Sequence, residues 1–346
     1  MQTAVWPSTG NFGIGGAWVA RSMGYRAIVV LPEDMSRERY ERIAQYGAEI
    51  VRTPGSEADV KDVFDKVAEL AADPMRRPLD QFSEFANYRF HYEVTGSAVS
   101  SLAASLGYGR VAAFVSAMGS GGTIAAGDRL KKEFGTAIVG LEPAECPTLH
   151  DVGFGSHRIE GIGDKHVTWI HNVHNMDLLL CIEDQSCLDG LELLQKGTAI
   201  LEREGVPGAE RLVGIFGVSG VCNLLGAIKT ARHYGLGRQD LVVTVATDGF
   251  DRYPSVLARL EAERGPMSEL DAVRRLARIF RGARADHALE ATRSIRRRWH
   301  NQKYFTWVEQ RGKTRTALDA QTSPDFWQGE QAKVRDVDAR IRELRG

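Results

Sequence analysis

The sequence of 346 residues has almost no net charge, few cysteines and no long apolar run. It has 44 Lys and Arg against 45 Asp and Glu, and this balance argues against electrostatic attraction to nucleic acid or to an anionic membrane. No apolar segment is long enough to cross a bilayer, and no basic and apolar leader pattern opens the chain. We therefore expect a cytoplasmic protein whose partner is a small molecule, with no nucleic-acid or membrane partner.

The sequence also lacks the cysteine spacings of a disulfide framework or a structural zinc site. Its cysteines are scattered without a C-x-x-C pair, which indicates reduced thiols that serve as small core side chains. Several histidines lie mid-chain without an acidic or thiol partner in register, so we predict solvated loop histidines and no metal site. The cysteines are Cys146, Cys181, Cys187 and Cys222, and the histidines are His157, His166, His171 and His174.

Apolar runs rich in Val and Ile alternate with longer helical patterns along most of the chain. This alternation predicts βαβ units and mostly parallel sheets covered by helices on both faces. A chain of this length can form two lobes that share a cleft. The predicted strands cover 27–31, 49–52, 111–117, 137–141, 178–182 and 241–246. The predicted helices cover 36–46, 58–72, 91–106, 123–133, 184–202 and 223–234.

A loop near the start of the chain, PSTGNFGIGG at 7–16, leads directly into an apolar helical pattern. A helix N-terminus presents unpaired backbone N–H groups and the positive end of the helix dipole, so this loop suits a carboxylate or a phosphate. A tight turn with an ordinary N-cap is the alternative. The dinucleotide fingerprint G-x-G-x-x-G does not fit, and we predict no strand before the loop, which disfavours a nicotinamide enzyme.

A second glycine-rich loop, GSGGT at 119–123, follows a predicted strand and opens a predicted helix. A turn of this kind points several backbone N–H groups at one place, and Ser120 and Thr123 add hydroxyl donors. The pattern therefore predicts a phosphate cradle rather than a structural turn.

These loops, with LPEDMS at 31–36, DQFSEFAN at 80–87 and VVTVATDGFDRY at 242–253, resemble the cysteine synthase and cystathionine β-synthase family. Members of that family are fold-type II enzymes that use pyridoxal 5′-phosphate (PLP). The resemblance runs in order from Pro7 to Tyr253. It implies a two-lobed, three-layer α/β/α fold like that of the tryptophan synthase β chain. We expect a smaller lobe at 1–100, a larger phosphate-binding lobe at 101–264 and a helical C-terminal extension at 265–346.

The resemblance also implies a set of site residues. The loop from Gly119 to Thr123 would hold the PLP phosphate, and Asn11 would lie near the PLP hydroxyl. Thr247 would bond the pyridine nitrogen, with Asp248 as the neighbouring alternative. The substrate would be held by Ser8, Thr9, Gln81 and Gly161, and the cofactor by Asn11, Gly119, Ser120, Gly121, Gly122, Thr123 and Thr247.

The activity that the resemblance implies is β-replacement or β-elimination on a small amino acid such as O-acetylserine. A thiol or sulfide would be the second substrate, which makes the chain a transferase or lyase of cysteine biosynthesis, expected as a homodimer. One residue departs from the family pattern, because Phe12 stands where the family has threonine. The preferred amino acid is therefore expected to differ from O-acetylserine.

The family holds PLP as a Schiff base on a lysine that lies upstream of the asparagine loop, which is PSTGNFGIGG at 7–16 in this sequence. This sequence begins just before that loop, and no lysine matches the catalytic one. Lys165 follows the RIEGIG loop at 158–163, but the family places its lysine on the opposite wall of the cleft. Two interpretations stay open: part of an ordinary enzyme, or a lysine-less chain that acts as a ligand-binding or regulatory subunit.

Beyond Gly265 the resemblance ends, and arginine-rich helical patterns are interleaved with aromatic residues. We predict amphipathic helices that dock on the core or on a partner subunit, with a nucleic-acid patch as the less favoured alternative. The expected anchors are Trp299, Tyr304, Phe305 and Trp307.

Overall fold

A computed structural model describes residues 2–8, 10–56 and 59–345. Its strands form two sheets. The first has the order β3-β2-β1-β4 and is parallel throughout, and the second has the order β8-β5-β6-β7-β9, in which β9 runs antiparallel to β7. The strands are β1 Thr3–Pro7, β2 Arg26–Pro32, β3 Glu49–Thr53, β4 Arg76–Pro78, β5 Ala113–Ala117, β6 Ala137–Pro143, β7 Leu178–Ile182, β8 Val242–Thr244 and β9 Ala288–Glu290.

Helices connect the strands and form the end of the chain. Those before β5 are α1 Asn11–Ser22, α2 Arg37–Gln45, α3 Val60–Leu70, α4 Phe85–Phe90 and α5 Gly96–Ser105, with a π-helical turn at His91–Thr95. Those between β5 and β9 are α6 Ala126–Phe134, α7 Asp184–Lys196, α8 Thr198–Arg203, α9 Val218–His233, α10 Pro254–Arg264 and α11 Glu269–Arg275, with a π-helical turn at Leu276–Arg281. The last are α12 Arg293–Lys303, α13 Arg315–Ala320 and α14 Pro324–Arg345, with a π-helical turn at Tyr304–Gln310. Short 3₁₀ turns lie at Thr123–Ala125, Val173–Asn175, Ala209–Leu212 and Phe250–Arg252.

Strand β2 shows why the first sheet is covered on both faces. Successive side chains of a strand point to opposite faces, so Val29 and Leu31 pack with Ile14 and Ile43 of α1 and α2. Its alternate residues Ile28 and Val30 join a separate core cluster with α3 on the other face. The expected α/β class with mostly parallel sheets and helices on both faces is confirmed.

The structure differs from the sequence prediction at the first strand. We predicted no strand before the asparagine loop, yet β1 lies there and pairs with both β2 and β4. Only five residues form it, and they end in Trp6 and Pro7, so neither alternation nor length marks it as a strand. Its Val5 is completely buried, because β1 is an inner strand of the sheet. A smaller difference is that the helix predicted over 184–202 divides at Gly197.

The C-terminal extension docks on the core, as expected, but it is not entirely helical. Strand β9 adds an antiparallel edge to the second sheet, next to β7. Trp299 and Trp307 are completely buried anchors, whereas Phe305 is 69% exposed and anchors nothing. The extension therefore docks through its tryptophans.

The mid-chain histidines are largely buried rather than solvated, which corrects the sequence prediction. His157 and His171 are buried and His166 is half-buried, and burial lowers the pKa of His157 and of His166 to about 4 and that of His171 to about 3. These three histidines are therefore neutral near pH 7. Across residues 2–8, 10–56 and 59–345, no group of three or more His, Cys, Asp or Glu could hold a metal ion, and no helix is long and apolar enough to cross a membrane. The four cysteines are buried and free.

Candidate active site

The asparagine loop joins the end of β1 to the start of α1. The buried Ser8 hydroxyl accepts hydrogen bonds from the backbone N–H of Gly10 at 2.9 Å and of Gly13 at 2.7 Å. Ser8 thus satisfies a donor of the first turn of α1 and fixes the path of the loop. The predicted site residue Thr9 lies outside the described residues.

The phosphate loop, defined as residues 119–123, joins β5 to the 3₁₀ turn that precedes α6. Its glycines are required because the backbone conformation or the neighbouring atoms leave no room for a side chain. Gly121 has a φ of +78°, and a Cβ there would lie 2.8 Å from the Cβ of His171. A Cβ on Gly122 would lie 2.2 Å from Asn87 Oδ1, and one on Gly119 would lie 2.9 Å from the Gly161 carbonyl oxygen. A side chain at any of these three positions would displace a neighbour, and with glycine there the loop backbone lines the cleft uncovered, as a phosphate cradle requires.

Side chains from two other segments hold the phosphate loop in place. Asn87 donates to Ser120 Oγ at 2.9 Å and to the Gln81 carbonyl at 3.0 Å. Thr168 donates to the Ser120 carbonyl at 2.6 Å. Gln81 in turn donates from Nε2 to the Pro7 carbonyl at 3.1 Å, which joins its loop to the end of β1. The phosphate loop and the predicted substrate loops thus form one connected structure.

A cleft of about 360 Å³ lies between the asparagine loop and the phosphate loop. This volume is within the usual range for a small-molecule site. Every described site residue predicted from the sequence lines it: Ser8, Asn11, Gln81, Gly119, Ser120, Gly121, Gly122, Thr123, Gly161 and Thr247. Polar residues that the prediction missed also line it, namely Asn87, His91, Thr95 and Ser219.

Thr247 and Asp248 lie in different environments. Thr247 faces the cleft, and its hydroxyl lies 2.6 Å from the hydroxyl of Ser219 at the start of α9. Asp248 does not line the cleft; its carboxylate accepts from Tyr253 Oη at 2.9 Å and from Asn11 Nδ2 at 3.0 Å. The only sequence signal near Ser219 is the run of small residues GVSG at 217–220, which the prediction did not use. The geometry leaves Thr247 as the side chain available to a ligand.

Arg39 of α2 links the two halves of the cleft from behind. Its guanidinium is completely buried and forms ion pairs with Glu160 and, at 3.4 Å, with Asp248. It also donates to Tyr253 Oη at 2.8 Å. Because Asp248 also holds the amide of Asn11, the Arg39 network, defined as Arg39, Glu160, Asp248, Tyr253 and Asn11, connects the asparagine loop with the segment after β8.

His91 is the titratable imidazole in the cleft wall. Burial lowers its pKa to about 4, and its Nδ1 lies 2.9 Å from Thr95 Oγ1. A neutral imidazole therefore faces the cleft near pH 7. It cannot attract an anionic ligand as a cation would, and it is a weak base.

This burial predicts a specific change in acid stability when His91 is replaced. The ordinary pKa of 6.5 lies above the folded value of about 4, so the unfolded chain takes up the proton first as the pH falls. Between these values His91 steepens the loss of stability by up to about 1.4 kcal/mol per pH unit. In His91→Gln the free energy of unfolding, measured in urea from about pH 6 to about pH 4.5, should fall less steeply than in the unmodified protein. If the free energy of unfolding falls equally steeply with pH in the two proteins, the lowered pKa of His91 is contradicted.

Among the described residues, no lysine lines the cleft. Lys165 instead pairs with Asp59 at 2.6 Å and lines a separate groove beside α12. Lys303, the last residue of α12 in the extension, is completely buried and does not line the cleft. The structure therefore offers no lysine at the cleft in the part of the chain that it describes.

Two mostly parallel sheets with a glycine-rich loop after a strand, opposite a second helix N-terminus across a cleft, are typical of an α/β enzyme that binds an anionic cofactor. The comparisons with known proteins identify the family. A profile of pyridoxal-phosphate dependent enzymes matches residues 2–248, so the chain belongs to that family.

The relatives are enzymes of sulfur and amino-acid chemistry. A cysteine synthase of Staphylococcus aureus is 32% identical over 73% of this chain and 76% of its own length. A hydrogen sulfide-producing enzyme from Fusobacterium nucleatum has a solved structure with a TM-score of 0.64 and 27% identity, over 79% of this chain and 77% of that one. The solved structure of an O-acetylserine dependent cystathionine β-synthase from Helicobacter pylori has a TM-score of 0.62 and 26% identity, over 73% of this chain and 77% of that one.

Proposed function

We propose that this chain catalyses PLP-dependent β-replacement or β-elimination on a small amino acid, as a transferase or lyase of cysteine synthase type. The observation that carries the proposal is the pair of loops that face each other across the cleft, within the region that matches the family. One loop suits the cofactor phosphate and the other suits the substrate carboxylate. The ligand-binding alternative is not favoured, because the relatives are enzymes.

The residues present fit PLP at two points. The phosphate loop would hold the phosphate, because its glycine backbone is open toward the cleft and its hydroxyls add donors. Thr247, beside Ser219, would hold the pyridine nitrogen through a hydroxyl, which leaves that nitrogen unprotonated and suits elimination and replacement. When bound, PLP supplies an electron sink for the bond that breaks at the substrate α-carbon.

The asparagine loop and the glutamine loop, defined as residues 80–87, would orient the amino acid. Ser8 fixes the loop, and Thr9, Gln81 and Gly161 would complete the grip on the substrate carboxylate. Asn11 would lie near the cofactor hydroxyl, since a carboxamide retains donor and acceptor capacity after its bonds to Asp248 and Arg252. These positions hold the substrate at one orientation, which is the main contribution that the protein makes to such a reaction.

Phe12 would set the substrate preference. Its ring lines the cleft and meets the Trp6 ring edge-to-face, with centroids 5.1 Å apart. The contact fixes an apolar surface where a threonine hydroxyl would otherwise face the ligand. Turnover of O-acetyl-L-serine with sulfide is therefore to be compared with turnover of analogues that carry larger apolar β-substituents.

The chain would act as a homodimer in a reducing cytoplasm. Four apolar side chains of the helical segment from 85 to 106 are about half exposed, and exposed apolar side chains of this kind support an interface with a second copy. They are Phe90, Val94, Leu102 and Leu106. The free, buried cysteines suit a reducing compartment.

The function is tested by adding PLP, then O-acetyl-L-serine and sulfide, to the purified protein. We expect saturable binding of one PLP per chain, measured by the change in tryptophan fluorescence. We also expect slow formation of cysteine. Because no lysine among the described residues lines the cleft, ethylamine should raise the rate several-fold by acting as an external base. Absence of saturable PLP binding would contradict the proposal.

A further inference from the structure

The back wall of the phosphate loop is the segment 165–171. Thr168 donates to the Ser120 carbonyl at 2.6 Å, and the empty Cβ position of Gly121 faces the Cβ of His171 at 2.8 Å. The N–H of Trp169 donates to the Phe82 carbonyl at 3.0 Å, next to Gln81. A shift of this segment would therefore move both the phosphate loop and the glutamine loop.

The C-terminal extension holds the other side of the same segment. Lys303 Nζ donates to the carbonyl oxygens of Trp169 at 3.1 Å and of His171 at 2.7 Å, and to Gln321 Oε1 at 2.7 Å. The indole N–H of Trp307 donates to the Val167 carbonyl at 2.8 Å. Three carbonyls of the back wall are thus fixed by side chains that come from beyond residue 248, where the family match ends.

Lys303 is an unusual choice for a purely structural position. It is completely buried, and burial lowers its pKa well below the ordinary value. An ammonium has three donors and no acceptor, and here three oxygens take up those donors. Methionine would fill a similar volume without the desolvation cost of a buried cation. What the ammonium adds is a fixed geometry for two backbone carbonyls of the back wall.

We propose that Lys303 is a positioning residue of the cofactor site, which acts through Trp169 and His171 to hold the phosphate loop in its binding shape. The inference rests on the proposed function, since it takes the phosphate loop to be the PLP site. Trp307 contributes to the same support through Val167. The extension is therefore part of the binding apparatus and not only a docked tail.

A matched pair of tryptophans provides the test. Trp299→Phe and Trp307→Phe are the same substitution in the same extension, both side chains are completely buried, and each loses one indole hydrogen bond. The Trp299 bond, 2.9 Å long, goes to the Leu149 carbonyl, outside the back wall. Both are compared with Lys303→Met in the full chain. The readouts are the dissociation constant for PLP, the melting temperature, and amide hydrogen exchange at 119–123 without PLP.

We expect Lys303→Met to weaken PLP binding about tenfold and Trp307→Phe about threefold, with faster exchange at 119–123 in both. Trp299→Phe should lower the melting temperature as Trp307→Phe does, yet keep its PLP affinity and its exchange rates. Equal PLP affinity and equal exchange in all three variants would overturn the inference. If Lys303→Met does not fold, the inference is decided by comparing Trp307→Phe with Trp299→Phe in PLP affinity and in exchange at 119–123. If the unmodified protein fails to bind PLP, the proposed function fails, and the exchange rates still decide the inference.

Discussion

Gly121→Asp should abolish PLP binding, with a loss of affinity on the order of 100-fold or more. Three effects act together at this position. The φ of +78° strains any other L-residue, a Cβ would lie 2.8 Å from His171 Cβ and 3.0 Å from Thr168 Oγ1, and a carboxylate would repel the cofactor phosphate. PLP titration followed by tryptophan fluorescence measures the effect.

Gly135→Asp is the matched control for this substitution. Gly135, at the end of α6, also has a positive φ, of +70°, but a Cβ there meets no atom within 4 Å. It should cost about 1–2 kcal/mol of stability from backbone strain while leaving PLP affinity unchanged. If Gly121→Asp retains PLP affinity with the fold intact, the phosphate loop is not the PLP site.

Arg39→Met should lower the free energy of unfolding by about 3–5 kcal/mol. The substitution removes the guanidinium and leaves the buried carboxylate of Asp248 and the mostly buried carboxylate of Glu160 without their cation. An uncompensated buried charge costs far more than the ion pair contributes. Urea unfolding monitored by circular dichroism gives the value.

Arg37→Met on the same helix is the control, because Arg37 is 72% exposed and pairs with the equally solvated Glu41 at 3.3 Å. It should change stability by no more than about 0.5 kcal/mol. A loss of less than about 1 kcal/mol in Arg39→Met would show that the Arg39 network does not join the two halves of the cleft as described.

The sequence predicted those parts of the site that consist of local patterns. The phosphate loop and the asparagine loop each combine glycines, hydroxyls and a helix start within about ten residues, and every described residue predicted there lines the cleft. Thr247, which the resemblance of the run at 242–253 implied as a site residue, also lines the cleft. Strand-helix alternation likewise predicted the α/β class.

Long-range pairings left no such signal. Arg39 meets Asp248 across 209 positions of sequence, and its own surroundings in α2 resemble those of a surface arginine. His171 and Lys303 are buried polar residues that meet across 132 positions of sequence, which no local pattern predicts. Strand β1 was not predicted because its five residues show no alternation of apolar and polar side chains.

The central claim is that this chain has a PLP site without a lysine at the described cleft, and lysine mapping tests it most directly. The protein is incubated with PLP, reduced with borohydride and digested, and modified lysines are located by mass spectrometry. We predict one PLP bound per chain, released on denaturation before reduction, with only scattered, substoichiometric lysine labelling. Stoichiometric labelling of one resident lysine such as Lys165, with turnover at a rate typical of the family, would contradict the claim.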